Sequence, residues 1–396
     1  MTAAARYLSV LLAVTGTALG LFLGLNLLLG ERALGGPEAT RLASEWQQQS
    51  RGITYAPPIT GIRSFKALRL ADRLPEVNAL AFGSSTIWGM TAVLFPEQYR
   101  FYNFGSTGNP LANIIGEIEY LLAQHRAGLR LMVVPLEWAI GSVTDMTPPP
   151  SVNLSPSAVL MPAAQPAVPL HRKLRDALSY PKVVNLLQAL RSIARARDPA
   201  ASFSDLFFTV ADAPYACVDG TMARDFDVIN RGLCSGFRFD GSWSFGGEKR
   251  LTPARAALLS RAAAAPSSKF SHALCAGHGE PNPEYLRRLG DAAHVLEKSG
   301  GRMLLLLPPL IPEMEQMMSG NPGNRACVNR TKAVLDDWAK QHEVTVLDAG
   351  RSERYGCVAG EFLDEHHAYP ECYRRVLDFY FRAQREGRAR PGLLQP

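Results

Sequence analysis

Apolar positions divide the chain into an apolar start, two patterned stretches and an irregular middle. Tyr7 to Gly30 carries no charged residue and is rich in Leu, Ala, Val and Gly. A helix crossing a bilayer core needs about 20 apolar residues, and this run supplies them. Val77 to Phe82 then reads as a buried strand ending at Gly83-Ser84-Ser85. Leu111 to His125 has helical periodicity, with Ile114, Ile115, Ile118 and Leu121 on one face, and a second apolar strand runs from Leu129 to Val134. Strand, helix, strand in that order predicts a parallel βαβ unit.

The pattern returns late in the chain. Tyr285 to Lys298 is an amphipathic helix, Arg302 to Leu307 a strongly apolar strand, and Asn329 to His342 another helix. Val344 to Leu347 gives a short strand, and Pro370 to about Arg385 a closing helix with Tyr373, Val376, Leu377 and Tyr380 on one side. Short apolar runs flanked by Gly or Pro suit parallel strands buried on both faces. The expected fold is an α/β three-layer sandwich with a central parallel sheet, flavodoxin-like, preceded by a single N-terminal transmembrane helix. Its domain is formed by 76–146 and 284–388, after an anchor at 7–30 and a stalk or linker at 31–75 with one short helix. Between the halves, 147–283 breaks the pattern with a proline run (Pro148, Pro149, Pro150), a helix near Lys182 to Arg195 and a Gly/aromatic stretch at Phe237 to Gly247. A structureless loop of that length is uncommon in a compact domain, so this segment reads as an insertion that covers the active-site side. No solenoid-type repeat is apparent.

Composition adds limits. With 47% hydrophobic and 20% charged residues the chain is globular rather than disordered. The net charge of +6 comes from scattered Lys and Arg, without the clustered basic face of a nucleic-acid binder. The apolar start is longer than the core of a cleaved signal peptide, and no Ala-x-Ala site follows it, so it reads as an uncleaved signal anchor, with cleavage the alternative. Arg6 and Arg32 flank it evenly and leave orientation open. Cys217, Cys234, Cys275, Cys327, Cys357 and Cys372 all follow the anchor, with no Cys-x-x-Cys pair. Three disulfides in an oxidising compartment would explain them, six buried thiols being the alternative; Cys357–Cys372 would close a loop around Asp364 and His367. The bulk of the chain is therefore expected to be periplasmic or otherwise extracytoplasmic.

Ligands of open α/β sheets bind outside the carboxyl ends of the strands, where Gly83-Ser84-Ser85 falls. A serine on such a turn can attack an acyl carbon, and its own N–H can help stabilise the oxyanion. The same residues could simply cap a helix. In Asp364-Glu365-His366-His367, an Asp three residues before a His can accept the Nδ1 proton and leave Nε2 to deprotonate a serine. A polar capping loop is the plainer alternative, and a metal cluster of His366, His367 and Glu371 lacks motif spacing. No metal or other cofactor is expected.

Gly83-Ser84-Ser85, then Asn103-Phe104-Gly105-Ser106-Thr107-Gly108, and finally Asp364-x-x-His367 together resemble the SGNH/GDSL hydrolase superfamily, over about 200 residues. The resemblance implies that Ser85 is the nucleophile, that Gly108 adds its backbone N–H to an oxyanion hole begun by Ser85, and that Asp364 and His367 are acid and base. Two departures stand out. Ser84 replaces the common Asp, and the third block, which usually ends Gly-x-Asn-Asp, here ends Pro135-Leu136-Glu137-Trp138. This ending is similar to divergent membrane-anchored members involved in cell-envelope and exopolysaccharide acylation. In this chain Asn109, Glu137 and Trp138 would help bind substrate, or a donor from the insertion would replace the missing Asn; for Trp138 simple packing is the alternative. The resemblance implies acyl transfer, as O-acetyltransferase or esterase, on a polysaccharide or other acyl ester. Gly16, Gly20 and Gly24 recur on one helix face, where a membrane-embedded acyltransferase could dock. The rival expectation is a non-catalytic protein of the same fold that binds glycan or a membrane partner.

Overall fold

The computed structural model describes residues 3–29, 44–45, 47–49, 51–54, 59–125, 128–137, 216–217, 235–245, 250–265, 267–268, 270–271 and 279–396. Trp138, the proline run, the expected helix near Lys182 to Arg195, Cys234 and Cys275 lie outside them. The described residues include one helix, Ala3–Leu29, whose Ala3–Gly24 stretch is long and apolar enough to cross a membrane. A helix Ile59–Arg73 occupies the end of the expected linker.

The chain forms two compact units, residues 1–68 with 162–236, and residues 69–161 with 237–396. In the first, the two-residue strands Ile53–Thr54 and Ala216–Cys217 pair antiparallel. The second holds a six-stranded sheet: β1 (Ala79–Ala81), β2 (Phe101–Asn103), β3 (Leu131–Pro135), β4 (Arg302–Leu307), β5 (Thr345–Asp348) and β6 (Gly392–Leu394). All pairings are parallel and the order is β2-β1-β3-β4-β5-β6. The order reverses between β1 and β3, which makes their carboxyl ends the topological switch point where doubly wound sheets hold ligands.

The strands form because they are apolar throughout and covered on both faces. Ala79, Leu80, Ala81, Leu131, Met132, Val133, Val134, Leu304, Leu305 and Leu306 are all fully buried. Alternate residues choose opposite faces. Ala79, Ala81, Leu131, Val133, Leu304 and Leu306 share a core with Val376, Leu377 and Tyr380 of the helix Pro370–Arg385. On the sheet's flanks the helices Leu111–His125 and Pro283–Lys298 pack on each other, and the second also on β4. Asn282 caps that helix by accepting the Glu284 N–H at 2.9 Å, ahead of a Pro whose missing N–H is harmless there.

Most expected strands and the Pro283–Lys298 helix are shifted by one or two residues at an end, and two differences from the sequence reading are larger. The helix expected at Asn329 begins at Pro322 and runs to Gln341, with Asn321 as its cap; its first turn, Pro322 to Arg325, shows no apolar period. The short strands β2 and β6, on the two edges of the sheet, have no separate pattern of their own.

Cys357 and Cys372 form a disulfide that ties the loop after β5 to the start of the closing helix. Cys327 is also disulfide-bonded, and none of the described cysteines is free. Cross-linking residues about 15 apart stabilises a fold by about 3 kcal/mol through the unfolded chain. The Cys357→Ala/Cys372→Ala variant is expected to lose about that much in denaturant unfolding, and an unchanged midpoint would show that the loop is held by other contacts.

Candidate active site

The turn that carries Ser85 is short. Ser85–Ile87 forms a single 3-10 turn directly beyond β1, and Ser84 caps it by accepting the Thr86 N–H at 3.2 Å. Glycine is required on both sides. A Cβ on Gly83 would meet Pro135 Cγ at 2.6 Å, and one on Gly89 would meet the Ala368 carbonyl oxygen at 2.2 Å. Neighbouring elements then stitch the turn in place. From the end of β2 the buried Asn103 donates through Nδ2 to the carbonyls of Ile87 and Met90, at 2.7 and 3.0 Å, while its Oδ1 accepts the Gly105 N–H at 2.8 Å. Tyr373 donates its hydroxyl to the Thr86 carbonyl at 2.7 Å, and Trp88 donates its indole N–H to the Gly105 carbonyl at 3.1 Å. Beyond β3, Glu137 Oε1 accepts the Ser84 hydroxyl and lies 3.4 Å from the Thr86 hydroxyl. Burial pushes the Glu137 carboxyl above its ordinary range, against the opposing pull of the Ser84 bond, the His367 charge and the Thr86 hydroxyl.

Asp364 and His367 stand on a tight loop closed by a bridge between Phe362 and Ala368 and by the Leu363 N–H to the His367 carbonyl at 2.9 Å. One carboxylate oxygen, Oδ1, accepts the backbone N–H groups of His366 and His367, each at 3.0 Å. The other, Oδ2, lies 2.7 Å from His367 Nδ1. Burial alone would raise the Asp364 carboxyl. The His367 hydrogen bond, the two imidazole charges and the His366 N–H outweigh it and hold the group well below the usual carboxylate range. An ionised carboxylate only accepts, so Nδ1 carries the hydrogen, and in the neutral ring Nε2 is left as the acceptor. Nε2 lies 2.8 Å from Ser85 Oγ. A serine, an imidazole and a carboxylate thus form one hydrogen-bonded line at the switch point, half-buried rather than sealed.

No protein-family model matches the chain, and no curated protein or solved structure matches it either.

The other residues singled out by sequence fall as follows. Gly108 is exposed, with φ +60°, in the loop after β2. Among the described residues neither its N–H nor that of Ser85 has a hydrogen-bond acceptor. Asn109 is buried and donates to Glu117 Oε2 at 3.0 Å, with no partner for its Oδ1 among the described residues. Trp138 lies outside the described residues. Glu371 pairs with Arg250 at 2.6 Å. Asp364, His366 and His367 lie close enough to one another to share a metal ion, yet both His367 nitrogens are already engaged by Asp364 and Ser85. The contacts made by Gly89, Asn103 and Glu137 were not read from sequence. Their one signal is a small or polar residue directly beyond an apolar strand or beside the serine.

Because the Asp364 carboxyl is depressed by folding, its stabilising contribution is full above the unfolded value of about 4 and is lost as pH falls through the lower folded value. Its side chain is 35% exposed, so screening limits this to about 1 kcal/mol. Asp364→Asn is expected to unfold about 1 kcal/mol more easily at pH 7, with the gap to wild type closing below about pH 4. A gap that stays constant with pH would trace the loss to packing instead of charge.

Proposed function

We propose that this chain is a membrane-anchored, extracytoplasmic serine acyl-transfer enzyme of the SGNH type, acting as O-acetyltransferase or esterase on a polysaccharide. The observation that carries this reading is the line from Ser85 Oγ through His367 to Asp364, with links of 2.8 and 2.7 Å. Its position at the switch point and its order along the chain support it further. Ser85 Oγ attacks the acyl carbon while its proton passes to His367 Nε2, and Asp364 stabilises the imidazolium that forms. The open N–H groups of Ser85 and Gly108 receive the oxyanion. Collapse returns the proton to the leaving alkoxide and leaves an acyl-serine. A glycan hydroxyl or water then attacks, with His367 taking its proton, and Ser85 is regenerated. No cofactor is called for.

The Cys357–Cys372 disulfide favours an oxidising compartment, hence an extracytoplasmic or periplasmic site with the Ala3–Leu29 helix as anchor. Among the described residues a Cβ at Gly16, Gly20 or Gly24 would meet nothing within 4 Å; this face would suit a membrane-embedded acyltransferase as donor partner.

The test uses full-length protein in detergent with a fluorophosphonate probe. Ser85 is expected to be the labelled residue, and Ser85→Ala or His367→Ala to lower turnover of p-nitrophenyl acetate by about 10⁴-fold or more. Folded protein that neither labels nor turns over would sink the catalytic reading and favour a glycan- or partner-binding protein.

A further inference from the structure

The two residues flanking the proposed nucleophile both carry hydroxyls, and both hydroxyls reach one carboxyl group. Ser84 Oγ donates to Glu137 Oε1, Thr86 Oγ1 lies 3.4 Å from the same oxygen, and the two hydroxyls are 3.1 Å apart. Ser84 Oγ meanwhile accepts the Thr86 N–H. An ionised carboxylate oxygen can only accept, so the Ser84 hydroxyl points its hydrogen toward it, while the Thr86 hydroxyl can donate to that oxygen or to Ser84 Oγ; charge-assisted bonds of this kind are stronger than neutral ones. Among the described residues Glu137 has no ion-pair partner, so a cation does not explain an acid half-buried here.

The location explains more. Ser85 stands on a turn of three residues, too short to hold itself by helical hydrogen bonds. Asn103 fixes the downstream carbonyls at Ile87 and Met90, and Tyr373 fixes the carbonyl of Thr86. Glu137 grips the side chains on either side of Ser85. It reaches them from β3, which meets β1 so closely that Gly83 has no room for a Cβ against Pro135. We infer that Glu137 is a positioning residue for Ser85: through the Ser84 and Thr86 hydroxyls it clamps the nucleophile turn to the end of β3. This rests on the acyl-transfer reading above.

Steady-state hydrolysis of p-nitrophenyl acetate by the full-length protein tests it, with thermal unfolding measured in parallel. Glu137→Ala is expected to lower kcat by about 10- to 100-fold with KM within about twofold, as a displaced nucleophile does. Glu137→Gln keeps an acceptor oxygen and is expected to stay within about fivefold of wild type. A wild-type kcat in Glu137→Ala, a loss confined to KM, or a Gln variant as weak as the Ala variant would each overturn the assignment. Should Glu137→Ala not fold, Ser84→Ala/Thr86→Val removes the same bonds from the other side; a similar kcat loss supports the clamp and an unchanged kcat overturns it. Wild-type protein without turnover would overturn the acyl-transfer reading and the clamp with it. Active wild type with an indifferent Glu137→Ala overturns the clamp alone.

Discussion

A parallel sheet covered on both faces leaves polar chemistry only one way out, at the ends of its strands. Burying an unpaired polar group costs more than a single hydrogen bond returns, and β1, β3 and β4 are apolar along almost their whole length. The reversal of strand order between β1 and β3 opens a crevice at one such end. Ser85 emerges from β1 beside it, and the Asp364–His367 loop comes to it from beyond β5. The arrangement of the candidate site is thus a consequence of two-sided burial before it is a matter of individual catalytic side chains.

What burial cannot supply is precision. The serine turn is one short 3-10 element, and its geometry depends on groups borrowed from Asn103, Glu137 and Tyr373. The Asp364 loop solves the same problem locally. Its carboxylate spends one oxygen on two backbone N–H groups and the other on the imidazole, so the residue that orients His367 also shapes the loop presenting it. The disulfide at Cys357 and Cys372 encloses this loop and narrows what it can do when the chain is unfolded.

Much of this was legible in the sequence, for identifiable reasons. The helices Leu111–His125 and Pro370–Arg385 and the strand Arg302–Leu307 carry an unbroken period or apolar run, and their limits match the reading. The helix starting at Pro322 was read seven residues short, because Gly323, Asn324 and Arg325 show no apolar face and the Asn-Pro cap was passed over. Three-residue strands such as Phe101–Asn103 are shorter than any period that could announce them. Asp364 and His367 were legible because their partnership is local. Ser85 meets His367 across 282 positions, and only the order of motifs pointed to it. Glu137 was noticed as a departure from a pattern, but its grip on Ser84 and Thr86 depends on two strand ends meeting, which one-dimensional information does not contain.

Gly89 carries one more consequence. The serine turn and the histidine loop also meet at main chain: the carbonyl of Ala368 occupies the space a Cβ of residue 89 would need. The approach of the two loops at this point is therefore limited by main chain, with the Tyr373 ring beside it. Drift in surrounding core residues can change how firmly the two loops are held, but it has little leverage on how far apart they stand. Retuning that gap, in evolution or in the laboratory, would mean re-cutting a loop.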